Sequence, residues 1–190
     1  MQRGKSDKPA TVVKEQQQGY MEPIERYEII GGVRYDFLAS PKIAHQTVLQ
    51  NFHLAFHSSC AKEGKVYVAP LDVHLDEDNV LEPDVLYIRN ERLSIIRDGY
   101  VYGAPDLVVE VLSESTGRRD KTIKKATYER FGVKEYWLAD PIYRLVEQYV
   151  LEDGKYALAA ILTEDDTLRS PTVPCLEIEL HTIFPPEKES

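Results

Sequence analysis

The sequence predicts one α/β domain built on a mixed β-sheet. Three observations predict it. At 190 residues the chain has the length of about one domain, and such a chain buries about 70% of its unfolded surface without staples. Leu107 to Leu112 is an apolar run interrupted once, by Glu110, which marks a strand buried on both faces at the centre of a sheet. Around that run, segments of period two are interspersed with two segments of helical period.

The elements follow in order. Residues 1–22 are rich in Lys, Gln, Asp and Pro with little to bury, so a disordered leader is expected there. The domain is expected over 23–185. Tyr27 to Phe37, with Gly31-Gly32 at its middle, has the pattern of a hairpin. Ser40-Pro41 offers an N-cap and a first-turn proline for a helix to about Ser59. Ile43, Val48, Leu49, Phe52 and Phe56 supply its apolar stripe.

Val66–Val68 and Leu71–Leu75 have strand patterns, and Asp76 to Asn79 is a turn cluster. Val80 to Ile88 is expected as a further strand with Pro83 near its start. After the central run, Arg118 to Phe131 is expected as a helix stopped by Gly132. Glu135–Ala139 is the next strand. Leu145 to Ile161, turning at Glu152-Asp153-Gly154, and then Val173 to Leu180 predict a β-meander.

Composition removes several classes. No apolar run approaches the roughly 18 residues of a membrane span, and no secretory signal is visible, so a soluble cytoplasmic protein is the expectation. The net charge of −9 argues against diffuse coating of nucleic acid. Cys60 and Cys175 are too few for a disulfide framework and are expected as two ordinary thiols. No Gly-rich phosphate loop, dinucleotide fingerprint, nucleophile elbow or Cys-x-x-Cys is present. His53, His57 and Cys60 have metal-competent helical spacing, but they interleave with core positions and lack a fourth ligand, so packing or solvent is the expected role.

Glu110 does not fit its surroundings. A carboxylate among Val and Leu in mid-sheet is costly unless it faces a metal ion, a lysine or an arginine. A structural ion pair or a strand-edge position are the alternatives. Asp84 opens the apolar strand Val85–Ile88, and if that strand pairs with the central one, the two carboxylates converge on one cation. Asp106 shares Glu110's strand parity but lies about 13 Å away along a straight strand, so one metal cannot bind both; a strand-start or outer role is expected. Arg118, Arg119, Lys121, Lys124 and Lys125 give their helix a local excess of positive charge on an acidic chain, suited to a phosphate-bearing ligand. Lys124 lies on one helical stripe with Tyr128 and Phe131, the apolar stripe. It either snorkels or is the partner that Glu110 requires.

The order Pro83-Asp84, a strand carrying Glu110, then a basic helix resembles the PD-(D/E)XK nuclease superfamily, whose fold is restriction-endonuclease-like. More closely, the chain is similar to the Uma-type family of restriction endonucleases, over about Tyr27 to Asp140. The residues carrying this resemblance are Ala104-Pro105-Asp106-Leu107-Val108-Val109-Glu110-Val111-Leu112-Ser113, then Arg119-Asp120, Lys124, Tyr128 and Gly132 to Pro141. The chain departs from the superfamily pattern at position 112, where Leu112 stands in place of the lysine. The family resemblance implies that the lysine has moved to Lys124.

The resemblance implies a Mg²⁺- or Mn²⁺-dependent endonuclease acting on nucleic acid, DNA first. Asp84, Glu110 and the Val111 carbonyl would be its metal ligands and Lys124 would position the attacking water. His45, Asp106, Ser113 and Asp120 would stand in an outer shell or at the rim. Arg118, Arg119, Lys121 and Lys125 would hold phosphates. Fold-level analogy also implies a homodimer, with the strands from Leu145 onward and Tyr143, Tyr149 and Tyr156 as its surface. A module that keeps the fold, binds nucleic acid or protein and cuts nothing is the alternative.

Overall fold

Residues 26–37 and 39–184 are described by the computed structural model. The leader expected over 1–22 and both ends of the expected domain lie outside the described residues. The hairpin forms as its pattern requires: β1 (Tyr27–Ile30) and β2 (Val33–Asp36) pair antiparallel. Gly31 and Gly32 turn it with φ of 60° and 75°, a region open to residues without a Cβ. The first helix, α1 (Ile43–Cys60), begins after Lys42, which is extended and makes no side-chain cap; Ser40 does not cap it. Its apolar stripe is buried at Val48, Leu49, Phe52 and Phe56.

Next come β3 (Gly64–Val68) and β4 (Val73–Asp76). The strand expected from Val80 to Ile88 is two strands, β5 (Asn79–Leu81) and β6 (Val85–Arg89), in different sheets. The reason lies in Glu82-Pro83-Asp84. Proline has no N–H for a ladder, and the Glu82 N–H is taken by the Glu28 side chain at 3.0 Å. A 3₁₀ turn (Asn90–Ile95) and two short strands, β7 (Ile96–Arg97) and β8 (Tyr100–Tyr102), occupy the charged segment that follows.

The apolar run is β9 (Leu107–Val111), with all five residues buried. After it the expected helix is composite: α2 (Gly117–Arg119), a π-type turn (Asp120–Lys124) and α3 (Lys125–Phe131). Gly132 ends it at φ 81°, its N–H on the Tyr128 and Glu129 carbonyls, a left-handed C-cap. β10 (Glu135–Asp140), β11 (Leu145–Glu152) and β12 (Lys155–Thr163) follow. The last expected meander strand is instead a separate two-stranded ribbon, β13 (Thr167–Arg169) with β14 (Glu177–Glu179).

The central sheet has the order β12-β11-β10-β9-β6-β3, and a second sheet has the order β2-β1-β5-β4-β8-β7. Only β9 and β10 run parallel within the central sheet. This is a mixed-sheet α/β fold. Because strand side chains alternate, Leu107, Val109 and Val111 face α1, packing with Phe52, Phe56 and Trp137. Val108 faces the other way, into a cluster with Leu86, Tyr128, Tyr136 and Leu138. Glu110 shares that second parity, and its side chain meets the composite helix.

Cys60 and Cys175 are not free thiols. They form a disulfide across 115 residues, with Cα atoms 5.5 Å apart. The separation carries no local signal; α1 and the C-terminal ribbon simply meet at that point in the core. This also takes Cys60 out of any site with His53 and His57. No helix among the described residues is long and apolar enough to cross a membrane.

Candidate active site

Val85 on β6 pairs with Val109 on β9. One step further along this antiparallel register, Asp84 stands across from Glu110. The two are laced together: the Asp84 N–H points at Glu110 Oε2 at 3.4 Å, and the Val111 N–H donates to Asp84 Oδ2 at 2.8 Å. A strand residue directs its N–H and C=O to the same side, so the Val111 carbonyl faces Asp84 as well. The convergence expected of the two carboxylates is therefore present.

Lys124 supplies the cation. It ends the π-type turn, a local widening common at functional sites, and its side chain is 4% exposed. Its Nζ lies 2.7 Å from Glu110 Oε1, 2.8 Å from Glu28 Oε1 and 3.7 Å from Asp120 Oδ1. The Tyr128 hydroxyl donates to Glu110 Oε1 at 3.2 Å. Of the two readings for Lys124, snorkelling is excluded: the ammonium points at Glu110.

The charges do not balance. Glu28, Glu110 and Asp120 crowd around one buried lysine, and Asp84 is laced to Glu110 beside them. Burial pushes the Glu110 carboxyl well above its ordinary range, against the pull of Lys124, and Asp120, Asp84 and Glu28 push it further. Asp120 is also raised, chiefly by burial. Burial works to lower Lys124, but Glu110, Glu28 and Asp120 together outweigh it and hold the ammonium well above its usual value. The lysine thus stays charged, and a pocket this rich in carboxylates favours a further cation.

The other expected residues distribute unevenly. His45, in the first turn of α1, places Nε2 3.2 Å from Asp84 Oδ2, while its Nδ1 is buried without a partner. Burial opposes its charged form, but the hydrogen bond and charge of Asp84 prevail and raise it. Ser113 lines the cleft and bonds Ser115 and Thr116 just before α2. Asp106 does not join the cluster. It lies at the opposite end of β9, where Arg89 and Arg92 bind it at 2.9–3.2 Å, so the expectation of an outer-shell role is corrected to a strand-start ion pair.

The cations expected to hold phosphate do not line the cleft. Lys121 reaches Glu147 at 2.8 Å, and Lys125 lies over the Tyr149 ring at 3.5 Å. Arg119 turns inward to Glu28 and packs on Tyr35 and Phe37. Arg118 is exposed at the start of the helix. Lys121 and Lys125 are instead drawn to β11, through Glu147 and Tyr149.

Asp84, Glu110, Lys124, His45 and Asp120 border one cleft of about 600 Å³. Its remaining cations, Arg26 and Lys42, were not anticipated. Arg26 forks onto both oxygens of Glu82 at 2.8 Å. Lys42 pairs with Glu114 at 2.9 Å, both side chains about three-quarters exposed. Glu28 was missed as well. Its only local signal is that it shares strand parity with Ile30, and both point inward.

Among the described residues no three His, Cys, Asp or Glu side chains are arranged to hold a metal ion. The donor set here is two carboxylates, Asp84 and Glu110, with the Val111 carbonyl. That set suits a hard ion such as Mg²⁺, which takes one or two carboxylates and fills its shell with water and substrate oxygen.

The family model described as "Putative restriction endonuclease", Uma2, matches residues 14–181. In fold the chain is similar to the crystal structure of "a putative nuclease belonging to DUF820" from Anabaena variabilis. The two share 18% identity at a TM-score of 0.69, over 83% of this chain and 89% of that one. No curated protein matches the chain. With most of its length matched, the chain belongs to the Uma2 family of restriction-endonuclease-like proteins.

Proposed function

We propose that the chain is a metal-dependent endonuclease that hydrolyses phosphodiester bonds of nucleic acid, DNA first among them. The observation that carries this reading is Glu110, buried, facing the Lys124 ammonium at 2.7 Å and laced to Asp84 at the floor of the cleft. Asp84, Glu110 and the Val111 carbonyl would hold Mg²⁺ or Mn²⁺. Such an ion, when bound, acidifies a water and offsets charge on the phosphate.

The chain's own groups do the rest. Lys124 remains an ammonium, so it orients the attacking water and offsets negative charge rather than taking a proton. Tyr128 fixes the Glu110 carboxylate that Lys124 also grips. His45 steadies Asp84 from the first turn of α1. Lys42, in an exposed and weak pair with Glu114, is free to exchange that carboxylate for a flanking phosphate. The attacking water gives its proton to solvent, its oxygen bonds to phosphorus as one P–O ester bond breaks, and the leaving oxygen takes a proton from solvent. The assembly is read as a homodimer of one domain over 23–185. Tyr143 remains exposed for it, whereas Tyr149 and Tyr156 pack against the sheet.

A second reading, a module that binds without cutting, draws on one observation: Glu28 and Glu110 already occupy the Lys124 ammonium. Plasmid and single-stranded DNA incubated with Mg²⁺ or Mn²⁺ separate the two. The nuclease reading expects cleavage by the wild type and none by Glu110→Ala or Lys124→Ala. Equal cleavage by all three removes the assignment. Calorimetric Mn²⁺ binding that disappears in Asp84→Asn supports the metal site, and no binding at millimolar metal favours the module.

A further inference from the structure

We infer that Glu28, on the N-terminal hairpin, is the positioning residue that sets Lys124 and the Asp84 segment against Glu110; this rests on the nuclease reading above. One carboxylate oxygen does two jobs. Glu28 Oε1 accepts from Lys124 Nζ at 2.8 Å and from the Glu82 N–H at 3.0 Å. Glu82 is two residues before Asp84. A single atom on β1 therefore holds both the ammonium and the backbone that delivers the first carboxylate.

The need for such an anchor is geometric. A lysine side chain has four flexible carbons and a point charge. Glu110 alone would let the ammonium swing about Oε1. Glu28, 1% exposed, gives it a second close partner at 2.8 Å, and Asp120 at 3.7 Å is too far for a full hydrogen bond. The proline break between β5 and β6 leaves the Glu82 N–H outside any ladder, so the same carboxylate fixes where β6 begins.

Glu28 has slack on its other side. Its Oε2 is buried without a hydrogen-bond partner, and so is Arg119 Nε, 3.8 Å away. Arg119 is held over Tyr35 and Phe37, both from the hairpin segment. The guanidinium thus lies beside Oε2 and leaves Oε1 to Lys124 and the Glu82 N–H. Glu28 is not itself among the residues that line the cleft; it acts through Lys124 and Glu82, which are, and so it positions rather than reacts.

The test uses the full chain as wild type, Glu28→Gln, Glu28→Asp and Lys124→Met. Lysine ammonium groups are followed by ¹⁵N NMR, the protected resonance lost in Lys124→Met being assigned to Lys124. In Glu28→Gln this resonance is expected to move or broaden away. kcat is expected to fall about 10–10²-fold with KM within about twofold, the pattern of a misplaced group. Glu28→Asp is expected to recover part of the rate, which loss of a merely structural residue would not show.

Cleavage by Glu28→Gln at the wild-type kcat, or an unmoved Lys124 resonance, overturns the inference. If Glu28→Gln does not fold, Glu28→Asp decides by the same two readouts: an unchanged resonance and rate count against it. If the wild type neither cuts DNA nor binds Mn²⁺, the nuclease reading fails by itself. The resonance then still shows whether Glu28 holds Lys124.

Discussion

Glu110 and Glu135 lie on neighbouring parallel strands, and both are buried. Their surroundings differ. Glu135 accepts from Trp137 Nε1 at 2.9 Å, Gln148 Nε2 at 3.1 Å, Thr172 N at 2.9 Å, Thr172 Oγ1 at 2.5 Å, and the Ser170 hydroxyl. Every one of these donors is uncharged. A carboxylate offers about four acceptor sites, so Glu135 is saturated and has nothing left for a ligand. Glu110 has one lysine, one phenol and a long 3.4 Å backbone contact. It is compensated by charge instead of by donors, and it borders a cleft. Glu110 also sits near the C-terminal end of β9, while Glu135 is the first residue of β10; sites in such sheets gather beyond the carboxyl ends of parallel strands. A buried acid alone is therefore weak evidence of chemistry. An acid that is under-supplied with donors, paired to a cation and open to a cleft is much stronger evidence.

Substitution can break this comparison. The largest effect is expected from Glu110→Gln, a loss of about 10²–10³ in kcat per folded molecule; steady-state cleavage, with a melting curve to fix the folded fraction, checks it. Glu135→Ala is expected to do the reverse. Stranding these donors, the buried Trp137, Gln148 and Ser170 groups among them, should cost about 3–5 kcal/mol of stability, read by urea unfolding, while kcat per folded molecule stays within a few-fold. A catalytic collapse in Glu135→Ala at full stability would erase the distinction. Tyr128→Phe sharpens it on the Glu110 side: losing one hydrogen bond to the carboxylate should cost about 1 kcal/mol and slow cleavage several-fold.

The smallest effect concerns the outward face of the same helix. Burial works to raise Glu147, but hydrogen bonds from Lys121 and Tyr149 outweigh it and lower it from its ordinary 4.5. A lowered carboxyl stabilises the fold above the unfolded value, and that stabilisation is lost as pH falls through the folded one. Lys121→Met should therefore cost at most about 1 kcal/mol at neutral pH, and the difference from wild type should shrink as pH falls below 4.5 through the lowered Glu147 value. Urea melts across pH 3–7 measure it. DNA affinity should be unchanged, since Lys121 turns to Glu147 and not to the cleft; a marked loss would restore it to the phosphate-binding set.

Much of the architecture was legible because it depends on near neighbours. Leu107 to Leu112 marks the sheet centre through its own hydrophobicity. Gly31-Gly32 and Gly132 mark turns through their backbone freedom. Val80 to Ile88 was misread because apolar continuity outweighed the signal of a single proline. The charged side chains of the composite helix were misassigned because their number is visible in sequence and their direction is not.

By itself the sequence determined that Glu110 would be enclosed and would need a cation, since the aliphatic residues that desolvate it are adjacent along the strand. It also narrowed the partner to a metal ion, a lysine or an arginine. The tertiary structure decided that Lys124 answers, that Glu28 holds it from a hairpin almost one hundred residues earlier, and that Cys60 meets Cys175. Burial is set by local pattern, whereas the identity of a partner depends on strand register and helix rotation, which only the packed chain fixes.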